Sequence, residues 1–246
     1  MMDLRLHMNL DAVVSLRGRR GTAEPEPAAV AMLAELAGVH GLSISRVEER
    51  RELLDRDVRL LREIIRTRLN LRLVPGGDLA AIAFDTRPQR ITLISEPQSR
   101  QALPSGLDVN LLKDALRKHF QTLRDADIEV AVHILPDLDQ VKAAHRVSVD
   151  VIELDAVGYT AARTPAERRV ELVRLVDAAT TAARLGMRVA LSGGLDLRSA
   201  EELSRLTHAS ELHVGHDLVA RSVLVGVERA VGDFLQAMAR GRQRPL

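Results

Sequence analysis

Short apolar runs, several of them alternating with polar residues, are separated along this chain by stretches where apolar positions return every three or four residues. The first pattern fits β-strands and the second amphipathic helices. Strands are predicted at 5–10, 41–44, 70–73, 90–93, 129–134, 151–154, 188–191 and 211–214. Helices are predicted at 27–37, 55–66, 78–85, 109–126, 138–146, 164–185, 199–206 and 217–239. Thr164, Pro165 and Glu167 offer an N-cap, a proline at the first helical position and a capping-box glutamate. Gly38 and Gly186 stand where helices should stop.

Eight strand–helix repeats within 246 residues match a (β/α)8 barrel, whose typical length is about 250 residues. An open doubly wound sheet is the competitor. Its glycine fingerprint is missing from "NLDAVVSLRGRRGTAEPEP", which follows the first strand. The expectation is an α/β chain forming one TIM-barrel domain over 1–246, with 237–246 as a frayed basic tail.

Composition narrows the function. Lys+Arg 35 against Asp+Glu 34 gives a net charge of +1, which steers toward neither nucleic acid nor membrane. Three Phe, one Tyr and no Trp leave little for stacking on bases. The charge-dense "RVEERRELLDRDVRLLRE" mixes both signs and reads as a solvated face. The absence of cysteine excludes disulfides and thiolate chemistry. No apolar run reaches the roughly 18–20 residues of a membrane span, and Asp3 and Arg5 argue against a signal peptide, so a cytoplasmic protein is expected. No histidine pair has metal-site spacing, and neither a metal nor another cofactor is expected. His133 is a lumen candidate, and His7 points either into the barrel or toward a helix. His40, His119, His145, His208 and His213 read as surface or packing residues.

One turn stands out. In "SELHVGHDLVARSVLVGVERAV" the eighth strand meets a helix through Gly215 and His216 alone. A helix N-terminus offers unpaired N–H groups to an anion, and glycine allows close approach. The alternative is a tight turn with glycine at positive φ and a solvated histidine. Barrels frequently hold phosphate after strands 7 and 8. Gly193 and Gly194 end the seventh strand, so a phosphorylated metabolite is the predicted ligand. Asp217 is expected to point away from the barrel axis.

The segments "NLDAVVSLRGRRGTAEPEP", "ERRELLDRDVRLLR", "TRLNL", "SGLDV" and "VGHDLVARSV" together resemble the pyridoxine 5′-phosphate synthase family, almost from end to end. The resemblance implies a metal-free, usually octameric TIM barrel. It condenses 1-deoxy-D-xylulose 5-phosphate with 3-amino-2-oxopropyl phosphate, releasing phosphate and water. It also implies substrate-binding roles for Asn9, Asp11, Arg20, Gly194, Gly215 and His216, and a transition-state role for Glu153. Arg17, Arg19 or Arg20 would reach a neighbouring subunit of a homo-oligomer.

Several family positions are changed. The histidine after Asp11 is Ala12, the second-strand histidine falls on Ser45, and the arginine two residues later on Val47. A substrate-binding histidine falls on Glu52, the third-strand catalytic glutamate on Arg72, a threonine on Ala102, and the seventh-strand histidine on Gly193. Serine and glycine cannot replace general acids and bases unaided, and arginine stays protonated. Altered chemistry is therefore expected, with Glu153 and Asp11 as catalytic candidates and Ser45, Glu52 and Arg72 as altered-site residues. Two alternatives stay open: Glu153 pairs with Arg72, and Asp11 only orients nearby backbone or Arg17. Binding of a phosphorylated ligand without turnover is the competing function.

Overall fold

The computed structural model describes residues 3–18, 24–46, 55–76, 79–96 and 106–245. Eight strands occur in chain order: β1 (Arg5–Asn9), β2 (Gly41–Arg46), β3 (Arg68–Leu73), β4 (Arg90–Leu93), β5 (Glu129–Ile134), β6 (Val151–Asp155), β7 (Arg188–Ser192) and β8 (Ala209–Val214). They form a closed barrel in sequential order, and the β1–β8 pairing that seals it is parallel like the rest. All eight predicted strands are present; β6 and β7 each run one residue further, to Asp155 and Ser192.

The helices are α1 (Asp11–Gly18), α2 (Pro27–Leu36), α3 (Asp55–Ile64), α4 (Leu79–Thr86), α5 (Val109–Asp125), α6 (Leu138–Arg146), α7 (Val157–Thr160), α8 (Pro165–Arg184), α9 (Leu197–Leu203), α10 (His216–Val225) and α11 (Val227–Arg242). The capping box forms at Thr164 and Glu167, and a second one at Asp196 and Ser199 starts α9 two residues before its predicted beginning. The helix expected over 217–239 is two helices, because Gly226 at φ 84° and ψ 156° breaks the α-helical path. The expected frayed tail is corrected as well. Helix α11 continues to Arg242, with Ala237, Met238 and Gly241 buried. Arg242 donates to the carbonyls of Ser204, Leu206 and Ala209, which fastens the helix end to the barrel.

Strand alternation divides the barrel into two environments. Leu6 and Met8, Leu69 and Leu71, Val130 and Val132, and Leu212 and Val214 are buried in the main apolar cluster beneath the helices. The intervening positions His7, Asn70, Arg72, Ala131, His133, Glu211 and His213 face the lumen. Branched aliphatics usually fill such a lumen. Here Ala131, Val151 and Ala190 form only a small separate apolar cluster, and most of the interior is polar or charged.

Arg90 on β4 crosses to β8, giving Nη1 and Nη2 to the two carboxylate oxygens of Glu211 at 2.5 and 2.7 Å, and its Nε to Glu129 at 2.5 Å. Burial opposes its charge, but these carboxylates raise its pKa above the usual arginine value. Glu211 remains ionised well below the usual carboxylate range for the converse reason. At the N-terminal end of the barrel, Arg68 and Arg188 also hold Glu129.

Above this pair, the rings of His7 and His213 stack with centroids 4.7 Å apart and planes within 2°. The ring of His7 lies over Gly41, where a Cβ would sit 2.5 Å from it. His7 is therefore a lumen residue. His213, read as a surface or packing residue, is not at the surface: it is buried in the lumen, on the inward face of β8 with Glu211, two residues away. Burial, reinforced by His213, holds the pKa of His7 well below its ordinary value.

Two stability effects follow. Arg90→Met leaves Glu211 charged and without its bidentate partner, so urea denaturation should show a loss of about 3–5 kcal/mol; a loss under about 1 kcal/mol would contradict the assignment. For pH, the unfolded chain protonates His7 more readily than the folded one. Its contribution is fully present above the unfolded pKa of about 6.5 and falls by up to roughly 1.4 kcal/mol per pH unit below it. The melting temperature should therefore drop between about pH 6.5 and 5, and less steeply in His7→Leu.

Candidate functional site

The C-terminal strand ends bring the candidate residues to one mouth. At the end of β1, Asn9 accepts the Asp11 N–H at 2.9 Å and donates Nδ2 to Ser43 Oγ at 3.2 Å. Asp11 opens α1 and receives both donors of Ser45, the N–H at 2.7 Å and the O–H at 2.6 Å. Its carboxylate thus joins the turn after β1 to β2. Arg17 is buried and pairs with Asp57 of its own chain, 3.1 Å for Nη1 to Oδ1. Arg20 and Glu52 lie outside the described residues, as do Arg19, Val47 and Ala102.

Below the mouth, Arg72 on β3 crosses to β6 and donates Nη1 to Glu153 Oε1 at 2.6 Å. Both are buried. Burial alone would raise the Glu153 pKa, yet Arg72, then His213 and His133, hold it well below the usual carboxylate range. A carboxylate kept ionised by a guanidinium stabilises developing positive charge, but it is a poor proton carrier near neutral pH. His213 Nδ1 lies 3.5 Å from Glu153 Oε2, which joins the upper and lower halves of the lumen.

Asp155, the last residue of β6, belongs to this group although the strand predicted over 151–154 stopped before it. Its Oδ1 accepts the Val157 N–H at 2.7 Å, and its Oδ2 lies 3.8 Å from His133 Nε2. Burial, then the Glu153 charge, raise its pKa above the ordinary aspartate value despite opposing contributions from His133 and the Val157 N–H. Burial likewise lowers the pKa of His133.

The glycine turns close the other side. Gly193 and Gly194 have φ of 104° and 63°, the left-handed region that glycine enters without a Cβ penalty. A Cβ on Gly193 would lie 2.8 Å from Asp155 Oδ1, and one on Gly194 2.8 Å from Thr160 Oγ1. Gly215 is the N-cap of α10, with no side-chain cap, and its φ of −117° excludes the positive-φ turn left open by the sequence. A Cβ there would meet Asn9 at 3.4 Å. The N-terminus of α10 therefore opens beside the Asn9–Asp11–Ser45 network. His216 is exposed there, and half-buried Asp217 has a raised pKa from burial and from Asp196, the cap of α9.

His7, Glu211 and His213 bring donor atoms within 4.8 Å of one another. They do not suit a cation. Parallel stacked rings aim their in-plane lone pairs side by side rather than at one point, and Arg90 already occupies both Glu211 oxygens.

The fold recurs in solved structures of low identity. KGPDC from Streptococcus mutans superposes with a TM-score of 0.64 at 14% identity, covering 98% of this chain and 100% of that one. Phosphoribosyl anthranilate isomerase from Thermococcus kodakaraensis gives 0.61 at 14%, covering 95% and 97%. Sequence relatives are much nearer. The pyridoxine 5′-phosphate synthase of Syntrophotalea carbinolica is 39% identical over 229 residues, 93% of this chain and 96% of that protein. That of a Synechococcus strain is 39% identical over 235 residues, 96% and 98% respectively. A family model described as pyridoxal phosphate biosynthesis protein PdxJ matches residues 6–240, and by this near-complete match the chain belongs to the PdxJ family.

Proposed function

We propose that this chain binds phosphorylated ketones or amino-ketones at its barrel mouth and joins them by a condensation related to pyridoxine 5′-phosphate synthesis, with acid/base groups of its own. The observation carrying the reading is the uncapped N-terminus of α10, set at Gly215 against the Asn9–Asp11–Ser45 network. Helix N–H groups stabilise a phosphate dianion through directed hydrogen bonds and the helix dipole. Gly194 and His216 are the other proposed phosphate contacts, while Asn9 and Asp11 face the remainder of the substrate. Arg20 joins them by family resemblance. Neither a metal nor an organic cofactor is part of the proposal.

A second reading, binding without turnover, is favoured by one observation: Arg72 locks Glu153 into an ion pair in place of the proton-transferring group implied at that strand end. Incubation with 1-deoxy-D-xylulose 5-phosphate and 3-amino-2-oxopropyl phosphate, followed by detection of pyridoxine 5′-phosphate, separates the two. Product supports the enzyme. Tight binding of either ester without product supports the binding protein, and no binding of any phosphate ester rejects both.

Gly215→Val provides the structural control. The fold accommodates the new Cβ at 3.4 Å from Asn9, while the branched side chain covers the backbone that an anion must approach. Losing one charge-assisted hydrogen bond, about 1.5–3 kcal/mol, should weaken phosphate-ester binding roughly tenfold or more. The melting temperature should stay near that of the wild type. Unchanged affinity would place the phosphate elsewhere.

We infer that the chain also self-associates. Leu33 and Leu36 of α2 and Val223 and Leu224 of α10 are exposed apolar residues, and Leu33 lines a depression together with Val225 and Val227 at the α10–α11 junction. Such a surface suits a second copy of the chain. Light scattering at micromolar concentration should report a multiple of 27.1 kDa, and Leu224→Glu should shift it toward the monomer.

A further inference from the structure

We propose that Asp155, oriented by His133, is the general acid/base of this barrel mouth. The inference rests on the enzymatic reading above and gives it a proton-transfer group. Among the described residues, Asp11, Glu153 and Asp155 are carboxyl groups carried here by β6 or by the turn after β1. Both oxygens of Asp11 receive the N–H and O–H of Ser45. Glu153 is fixed as an anion by Arg72. Asp155 is held differently: one oxygen accepts the Val157 N–H, while the other faces His133 at 3.8 Å, too far for a direct hydrogen bond.

Its position is as informative as its chemistry. Asp155 Oδ1 stands 2.8 Å from where a Cβ on Gly193 would lie, so the carboxyl fills the space in which a side chain at 193 would begin. That strand end is where the family resemblance places a histidine. A carboxyl arriving from the neighbouring strand β6 occupies the same corner of the mouth, and glycine at 193 is what admits it. His133 follows from the register, in which it lies beside Glu153 on β5 and faces Asp155, Glu153, Arg72 and His213. Its Nδ1 has no hydrogen-bond partner among the described residues.

The step assigned to Asp155 balances within a dehydration. The carboxylate takes a proton from the substrate carbon next to a C–OH carbon, and the C–H electron pair forms the new double bond. The C–O bond breaks, and the same proton passes from the Asp155 carboxyl to the departing hydroxyl, which leaves as water. The protein returns to its starting state. Burial and the adjacent Glu153 charge keep the carboxyl protonated to higher pH than an ordinary aspartate, which suits the donor half of the step. His133 is a positioning residue that touches no substrate.

The test uses the full chain with the two family substrates, inorganic phosphate as binding probe, and the variants Asp155→Asn and His133→Gln. Asparagine retains an oxygen acceptor for the Val157 N–H, and melting curves verify folding. Asp155→Asn should lower kcat by about 10²–10⁴-fold while leaving phosphate affinity unchanged. His133→Gln should keep measurable activity and move the acidic limb of the kcat profile to higher pH, because His133 opposes the upward shift of Asp155. In ¹³C-aspartate NMR of the protein without substrate, the resonance lost in Asp155→Asn should titrate above the ordinary aspartate value of about 3.9. An active wild type with Asp155→Asn turning over normally, or an Asp155 midpoint at or below that value, overturns the inference and leaves the enzymatic reading standing. A wild type that neither turns over the substrates nor binds phosphate overturns the enzymatic reading, and the acid/base role falls with it.

Discussion

The ion pair between Arg90 and Glu211 is the constraint on which the rest of the barrel is arranged. A guanidinium inside a protein is tolerable only when its donors are met, and here Glu211 and Glu129 meet them from two other strands. Fixing Glu211 fixes β8 against β4 across the lumen. Because side chains alternate along a strand, it also fixes His213 one layer higher, against His7 and toward Glu153. The mouth is therefore built on a charged column rather than on the aliphatic layers usual in such barrels.

That column changes what each mouth carboxyl can do. Arg72 places a permanent positive charge beside Glu153, so Glu153 acts as a fixed charge. Asp155, one step further out on the same face of β6, has its ionisation disfavoured chiefly by its own burial and then by that fixed charge. Two acidic residues separated by one position thus acquire opposite protonation behaviour. Local sequence treats them alike; the Arg72 ion pair outweighs burial at Glu153, whereas burial prevails at Asp155. Pairs of titratable groups whose environments push them apart are the arrangement from which acid/base division of labour arises.

The opposite wall of the mouth is backbone chemistry. Two consecutive glycines in the left-handed region turn the chain after β7, and the α10 N-terminus is left without a side-chain cap beside Asn9. Gly193 serves both walls, because it bends the turn and leaves room for the Asp155 carboxyl. The chemistry once implied at one strand end and the space for a replacement from the next strand are in this way linked through a single residue.

The sequence by itself determined the architecture. Period-2 runs, helical spacing and caps such as Thr164 with Glu167 are local properties, so eight strands and the main helices were legible without coordinates. Break points that depend on one backbone angle, such as Gly226, were not, nor was the docking of Arg242 that carries α11 past 237. The strand-to-helix turn at Gly215 was legible as a motif, and Arg72–Glu153 was legible as one of two options. His213 and Asp155 were missed, although the first had a signal in its two-residue spacing from Glu211. What no one-dimensional pattern could supply was the partner of each lumen charge. Arg90 and Glu211 are separated by 121 positions and Arg72 and Glu153 by 81. Only closure of the barrel brings these strands face to face, and that proximity holds Glu153 as an anion beside Arg72.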